Sequence, residues 1–326
     1  MLSGIKFVCF AASYAVALAL EVSRLFFRSG VRGVVMLGFA AAGLLAHTIF
    51  LGYRVRDFYA TYEAANPNAS PLSSNQDWYL IAAWLVVVVY LHLTWFHPKV
   101  SFGVFLLPLV LALVGVAFVA DPQPFPRDPA SRVWGTIHGT SILLASVTVL
   151  VGLVAGLMYL WQARRLKHKV PAQKGLRLPS LEWLQRANSR AIGIAVTLAG
   201  IGILSGTILN ATNRGRDAGF VPWNDPVILS TLVMFGWLAG SSAIGLVYRP
   251  AREGRRVAYL TVVSFLFLVI ALGLVFLNDT QHGGVGTRPR AESSVRRQSG
   301  TSDSAPAGQA GREGAATQAP AQGEGP

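Results

Sequence analysis

Apolar residues occur in long continuous runs along most of the chain, and short polar loops separate these runs. A helical run of about 20 apolar residues spans the hydrocarbon core of a bilayer, which is about 30 Å thick. Backbone polar groups find no partners in lipid, and the alternating pattern of barrel strands is absent, so each run is predicted to be a helix. The predicted spans are residues 4–26, 33–53, 78–97, 101–120, 135–162, 190–210, 227–248 and 257–277. We therefore expect an all-α polytopic membrane protein with about eight transmembrane helices.

The loops between these runs differ in charge, and the difference predicts an orientation. The chain carries 28 Lys and Arg against 15 Asp and Glu, a net charge of +13. In a soluble protein this charge would suggest nucleic acid as a partner, but here the basic residues concentrate in the loops after helices one, five and seven. Cytoplasmic loops are enriched in Lys and Arg. These three loops are predicted to be cytoplasmic and both termini extracytoplasmic, and no nucleic-acid partner is expected.

Two segments outside the runs have patterns of their own. From residue 284 onward Gly, Ala, Ser, Gln and Pro dominate and no apolar period survives. Such a segment buries too little surface to offset its chain entropy. We therefore predict a transmembrane helical domain over 1–283 and a disordered extracytoplasmic tail over 284–326. In the fifth loop, Ser180 is a candidate N-cap, and 178–184 is predicted to form a short interfacial helix that leads into helix six.

The single cysteine, Cys9, excludes an intrachain disulfide. No C-x-x-C-H motif occurs, so the chain is not expected to carry covalently attached haem itself. The first run is long and has no small-residue cleavage site before polar sequence, so it is predicted to be a helix and not a cleaved signal.

The histidines are the strongest candidates in this sequence for ligand binding or other chemistry. The chain has six: His47, His92, His97, His138, His168 and His282. The predicted topology puts His138 near the outer end of helix five and His282 just past the outer end of helix eight. Two imidazoles from opposite sides of a porphyrin can take both axial positions of haem iron, which here requires helices five and eight to be neighbours. The alternative is that each histidine caps a helix or forms a hydrogen bond at the interface.

The other histidines carry weaker signals. His47 is predicted to lie in the outer half of the bilayer, where an imidazole is costly without a partner. A hydrogen bond to a neighbouring helix would explain it as well as ligand binding does. His92 and His97 approach the cytoplasmic end of helix three, and His168 lies in a basic cytoplasmic loop. For these three we expect simple solvation at the interface.

The loop before helix seven contains groups that suit a flat, acidic ligand. Trp223 can lie against an aromatic ligand or at the membrane interface. Asp225 and Pro226 can cap and start helix seven. Arg214 or Arg216 can meet a carboxylate such as a haem propionate, although each is equally compatible with a solvated loop.

From helix two onward, a series of short segments resembles the CcsA/ResC-type cytochrome c assembly proteins, a family that includes HemX-like membrane proteins. The segments occur in the family's order and extend over about 240 residues. They are Leu45–Thr48 with Arg54, Asn66–Asn75 with Trp84, Gly103–Leu109, Trp134–His138 with Met158–Leu160, Leu178–Leu184, and Gly254–Leu260.

The resemblance implies a function in haem handling at the extracytoplasmic face of a bacterial cytoplasmic membrane. Haem, as haem b, would be held transiently and delivered to apocytochrome c, with a second membrane assembly subunit as partner. His47 matches a haem histidine within the membrane, and His138 and His282 match two external iron ligands. Trp223 and Asp225 match the remnant of a tryptophan-rich haem-binding motif. At most, such a chain is the haem-ligating component of a cytochrome c synthase complex.

The sequence also departs from the family pattern. Leu209 stands where the family has tryptophan, Val227 and Ile228 replace a Lys-Glu pair, and Ala243 lies near the position of a second membrane histidine. These departures leave a HemX-like scaffold that transfers no haem as an alternative. A small-solute transporter is a third possibility, but such proteins show broken helices in two related halves, and the sequence has no such symmetry.

Overall fold

The computed structural model describes residues 7–26, 30–63, 70–124, 132–169, 176–214, 221–247 and 255–277, and these residues form eight α-helices without any strand. The helices are α1 (Phe7–Phe26), α2 (Gly30–Asp57), α3 (Asn75–Phe96), α4 (Gly103–Val119), α5 (Arg132–Lys167), α6 (Leu181–Thr212), α7 (Pro226–Val247) and α8 (Arg255–Leu277). Each corresponds to one predicted span, so the prediction of an all-α fold is confirmed. The domain boundary at 283/284 and His282 lie outside the described residues.

The helix lengths suit a membrane. Within the part of the chain that the structure describes, six helices are long and apolar enough to cross a bilayer, and two shorter apolar segments, Gly103–Val119 and Ala258–Ile270, lie in α4 and α8. The 17 residues of α4 reach the lower limit of about 17 residues for a transmembrane helix. The protein is therefore a multi-pass membrane protein.

Side-chain caps fix where three of the helices begin. Ser74 and Asp77 form a reciprocal capping box at α3, in which Ser74 Oγ accepts from Asp77 N at 3.0 Å and Asp77 Oδ2 accepts from Ser74 N at 3.2 Å. Ser180 Oγ accepts from Trp183 N at 3.3 Å. Ser180 is therefore an N-cap, as predicted, although the helix that it starts is α6 itself. At α7, Asp225 Oδ1 accepts from Val227 N at 2.8 Å. These bonds satisfy backbone donors that a helix leaves open at its first turn.

Two local predictions differ from the structure. The short interfacial helix expected at 178–184 is not a separate element, because α6 continues without a break from Leu181 to Thr212. No Gly or Pro interrupts the helix in its first three turns, and Asn188 is buried against the bundle. At the other end of the bundle, α2 extends beyond its predicted end and finishes in a π-helical turn, Phe58–Tyr62, closed by Glu63 N donating to Phe58 O at 3.0 Å.

The helices pack as two groups that meet at α5. In the first group α1 contacts α2 and α4, and α3 contacts α4; in the second, α5 packs along α6 and also against α8, which contacts α7. Contacts of α5 with α3 and α4 join the groups. The condition for a shared site between the ends of α5 and α8, that the two helices are neighbours, is therefore met.

Small residues let α5, α6 and α8 approach closely. A Cβ atom added to Gly152 would lie 3.2 Å from the Cβ of Ala191 and 3.2 Å from Cγ2 of Thr261. Beside this contact, Thr261 Oγ1 donates to Asn188 Oδ1 at 2.7 Å, and both side chains are buried. Close backbone approach with a polar bond between helices is how membrane helices commonly associate.

Candidate functional site

His138 lies near the start of α5, and a hydrogen bond fixes the orientation of its ring. Its Nδ1 is 2.7 Å from the carbonyl oxygen of Gly202 on α6. A carbonyl oxygen only accepts, so Nδ1 carries the proton, and in the neutral ring Nε2 is the nitrogen with a lone pair. Metal-binding histidines commonly donate their other N–H in this way, which sets both tautomer and orientation. His138 therefore has the protonation pattern of an Nε2 iron ligand.

Glycines on both helices make room for this arrangement. A Cβ on Gly206 of α6 would lie 2.7 Å from Nδ1 of His138 and 2.9 Å from its Cε1. On α5, a Cβ on Gly139 would lie 2.5 Å from Cη2 of Trp78. The indole of Trp78 thus covers the backbone beside His138, and the imidazole packs against α6 where Gly206 has no side chain.

Substituting Gly206 with Ala should displace the His138 ring. The added methyl group cannot coexist with the imidazole at 2.7 Å, so the ring must move and its bond to Gly202 lengthens or breaks. We expect a loss of about 1–3 kcal/mol in the free energy of unfolding, typical of overpacking. A denaturant titration in mixed micelles measures it.

The matched control is Gly193→Ala on the same helix, where an added Cβ meets nothing within 4 Å. That change should be neutral or stabilising by roughly 0.5–1 kcal/mol, because Ala favours helix more than Gly does. Equal effects of the two substitutions on the free energy of unfolding would contradict the close approach of the His138 ring to Gly206.

His47 lies on α2, in the other helix group, and is completely buried. The ring of Phe10 stacks on it with centroids 4.3 Å apart and an interplanar angle of 3°. Tyr14 Oη is 3.3 Å from Nδ1, so the expected hydrogen bond to a neighbouring helix exists. Nε2 is also buried, and it has no hydrogen-bond partner among the described residues. A buried, unpaired ring nitrogen is costly and suits a site that a ligand completes.

A polar cluster joins the end of α2, the start of α3 and the end of α4. Arg54 Nε is 2.6 Å from Oδ1 of Asp77, and Arg54 Nη1 donates to Gln76 Oε1 at 2.8 Å. Gln76 Nε2 in turn donates to the carbonyl of Ala117 at 3.0 Å. Arg54 was singled out from sequence only within a resembling segment, and Asp77 and Gln76 were missed. The S-x-x-D spacing of a capping box was the available signal for Asp77.

The described end of the loop before α7 is held against α6. Asn210 forms two hydrogen bonds with the backbone of Val221, each 2.9 Å long. Trp223 is 53% exposed, whereas Asp225 is buried in its capping role. The structure thus leaves a large aromatic surface accessible at Trp223. Arg214 is exposed, and Arg216 lies outside the described residues.

Of the three histidines that were expected to be solvated at the interface, two are exposed and one is not. His92 and His168 are exposed, which agrees with solvation at the interface. His97 is instead partly buried, with ring centroids 5.7 Å from Trp183 and 6.2 Å from Phe102. The reason is tertiary: Trp183, in the first turn of α6, packs against the end of α3.

Within the described residues, no group of three or more His, Cys, Asp and Glu side chains could hold a metal ion. Haem iron differs from a bare ion, because the porphyrin supplies the equatorial nitrogens and the protein needs to add only one or two axial ligands. A single oriented histidine such as His138 would therefore suffice for one axial position of a haem.

Comparison with known proteins places the chain in a family. A family model described as "Cytochrome C assembly protein" matches residues 73–282, more than half of the chain. An "Uncharacterized 28.8 kDa protein in nifR3-like 5'region" of Azospirillum brasilense is 26% identical over 183 residues, which are 55% of this chain and 65% of that relative. No solved structure matches. The family match includes His138, Trp223, Asp225 and His282 but not His47. The chain belongs to the cytochrome c assembly protein family.

Proposed function

We propose that this protein handles haem at the extracytoplasmic face of the membrane for delivery to apocytochrome c. Family membership supports haem handling in general and favours it over transport of a small solute. The single observation that carries the proposal is the hydrogen bond from His138 Nδ1 to the Gly202 carbonyl, because it prepares Nε2 for an iron atom.

His138 and His282 are the proposed axial ligands. Iron requires a lone pair, and the fixed tautomer of His138 presents it at Nε2. The second ligand would come from the segment that follows α8. Since α8 packs against α5 and His282 follows soon after the end of α8 at Leu277, a short connection suffices to bring the two histidines to one porphyrin.

Other residues would assist at defined points. The exposed indole of Trp223 offers a flat surface for the porphyrin face. Asp225 acts indirectly, by starting α7 and so fixing the position of Trp223. His47 would hold haem inside the membrane, and the support for this role is its buried Nε2 with no partner among the described residues.

The partners and location belong to the same proposal. Apocytochrome c would receive the haem b, a second membrane subunit would complete the assembly, and the membrane would be the bacterial cytoplasmic one. The chain's own chemical contribution would be axial ligation, so on this view it is at most the haem-ligating component of a cytochrome c synthase complex.

An absorption spectrum of the purified protein before and after addition of haem tests the proposal. Two imidazole ligands should give a low-spin spectrum with a sharp Soret band, saturating at one haem per chain. Haem added to the same detergent micelles without protein is the control. A spectrum identical to that control would contradict haem ligation and favour the HemX-like scaffold.

The face on which this occurs is tested separately by cysteine labelling. In a Cys9→Ser background, single cysteines replace Trp223 and His168, both exposed positions. The concentration of Lys and Arg after α5 predicts that His168 is cytoplasmic. An impermeant maleimide should therefore label position 223 in intact cells and position 168 only after permeabilisation. The opposite labelling pattern would show that the chain has the inverse of the predicted orientation.

A further inference from the structure

A groove of about 440 Å³ lies where α1 ends, α2 begins and α3 ends. Residues from all three helices line it, together with Pro98 after α3. Arg24 is the charged side chain in the lining, and Thr94 adds a buried hydroxyl. Neither His47 nor His138 lines this groove.

The guanidinium of Arg24 is only partly satisfied by the protein. Nη1 donates to Oε2 of Glu21 at 3.1 Å, and Nη2 donates to the Pro98 carbonyl at 3.0 Å. Nη1 also makes a weak contact with Sδ of Met36 at 3.8 Å. A guanidinium has five N–H groups, and Nε–H and the second Nη2–H have no partner among the described residues. Glu21 is 1% exposed and Arg24 21% exposed, so the cation lies between a buried carboxylate and open space.

The walls of the groove are apolar and open outward. Val34 is 74% exposed and Trp95 72% exposed, as expected of side chains that face lipid. Trp at the end of a membrane helix typically lies at the level of the lipid headgroups. The groove thus has unsatisfied cationic donors next to an apolar surface. It lies at the membrane depth where a phospholipid has its polar headgroup next to its apolar acyl chains.

We propose that this groove binds the headgroup phosphate of an anionic phospholipid. Arginine's planar fork of donors matches two phosphate oxygens, and the glycerol and first part of the acyl chains would cover Val34 and Trp95. The sequence places two further arginines, Arg28 and Arg32, around the connection between α1 and α2, which favours an anionic lipid over a zwitterionic one.

The shared cation leads to a specific expectation for Glu21. The carboxylate of Glu21 and the lipid phosphate compete for one guanidinium, so Glu21→Gln should strengthen phospholipid binding. Replacing both residues, Glu21→Gln with Arg24→Gln, removes the guanidinium and its charge without leaving a buried carboxylate unpaired. That double variant should bind at least about tenfold more weakly than the parent, the effect of losing charge-assisted hydrogen bonds.

Native mass spectrometry of the purified protein, titrated with phosphatidylglycerol, measures these affinities. Arg186→Gln is the matched control, because Arg186 also pairs with a glutamate, Glu182, on a helix but lies on the exposed surface. It should bind phosphatidylglycerol as the parent does. Thermal unfolding of each variant monitors the fold. If the double variant unfolds early, Arg24→Lys replaces it, since Lys keeps the charge but lacks the fork and should bind several-fold more weakly.

Three results would overturn the proposal. The double variant, or Arg24→Lys where it is used, binds phosphatidylglycerol as tightly as the parent. Inorganic phosphate displaces the lipid at equal concentration, which would make the groove a site for free anions. Haem displaces the lipid from the parent and from Arg186→Gln, and in the absence of lipid it binds the double variant more weakly than the parent, which would assign the groove to haem. Loss of haem binding at His138 leaves this proposal untouched.

Discussion

Replacing His138 with Ala should abolish the low-spin spectrum of the haem-loaded protein, and added imidazole should partly restore it. The substitution removes an axial ligand while α5 remains helical, because Ala is the best helix former. Free imidazole can then enter the vacated space and coordinate iron in place of the side chain. A broken fold would not recover in this way, so rescue separates a missing ligand from a structural defect.

The controls for this experiment are other histidines. His168→Ala removes an exposed imidazole from the loop after α5 and should leave the spectrum unchanged. His282→Ala should behave as His138→Ala does. If the double variant of His138 and His282 binds haem as tightly as the parent, neither histidine is a ligand, and the proposed mechanism is wrong.

Substituting Arg54 with Met should destabilise the protein by about 3 kcal/mol, the lower end of the range for breaking a buried ion pair. Asp77 is 3% exposed, and Arg54 lies 2.6 Å from its Oδ1. Without the arginine, the carboxylate loses its charged partner but cannot reach water. The lower end applies because Arg54 itself is 26% exposed and Ser74 still donates to Oδ2 of Asp77.

Denaturant titration in mixed micelles measures the free energy of unfolding. Arg186→Met, which breaks the exposed pair with Glu182, should cost less than about 0.5 kcal/mol. Adding Asp77→Asn to Arg54→Met should recover part of the loss, because the neutral amide is cheaper to bury than an unpaired carboxylate. A cost for Arg54→Met as small as that for Arg186→Met would show that the ion pair contributes nothing.

The helices were predictable because the membrane imposes a simple rule on the sequence. Any segment that crosses lipid must be long, apolar and helical, so apolar runs mark α1 to α8 directly. Two helix starts were also readable from local chemistry, because Ser180 and Asp225 directly precede the first residues of α6 and α7. Their side chains accept hydrogen bonds from backbone N–H groups three and two residues further on. These signals need no knowledge of which helices are neighbours.

Contacts between distant segments were not predictable in this way. Tyr14 meets His47 and Thr261 meets Asn188 across separations of 33 and 73 residues, and no local pattern specifies such a pairing. The importance of Gly206 was also hidden, because its role depends on the side chain of His138 reaching it from another helix. The candidate site therefore came partly from sequence, as a set of histidines, while the residues that orient them required the three-dimensional packing.

The bond between His138 and the Gly202 carbonyl has a consequence for the reduction potential of any iron bound there. An imidazole that donates its second N–H is a stronger electron donor to the metal, and stronger donation stabilises the ferric over the ferrous state. The acceptor is a neutral peptide oxygen, which also accepts from Ser205 Oγ at 3.0 Å, so the effect is milder than a carboxylate would give. The backbone geometry of α6 would thus help to set how readily a haem ligated by His138 is reduced.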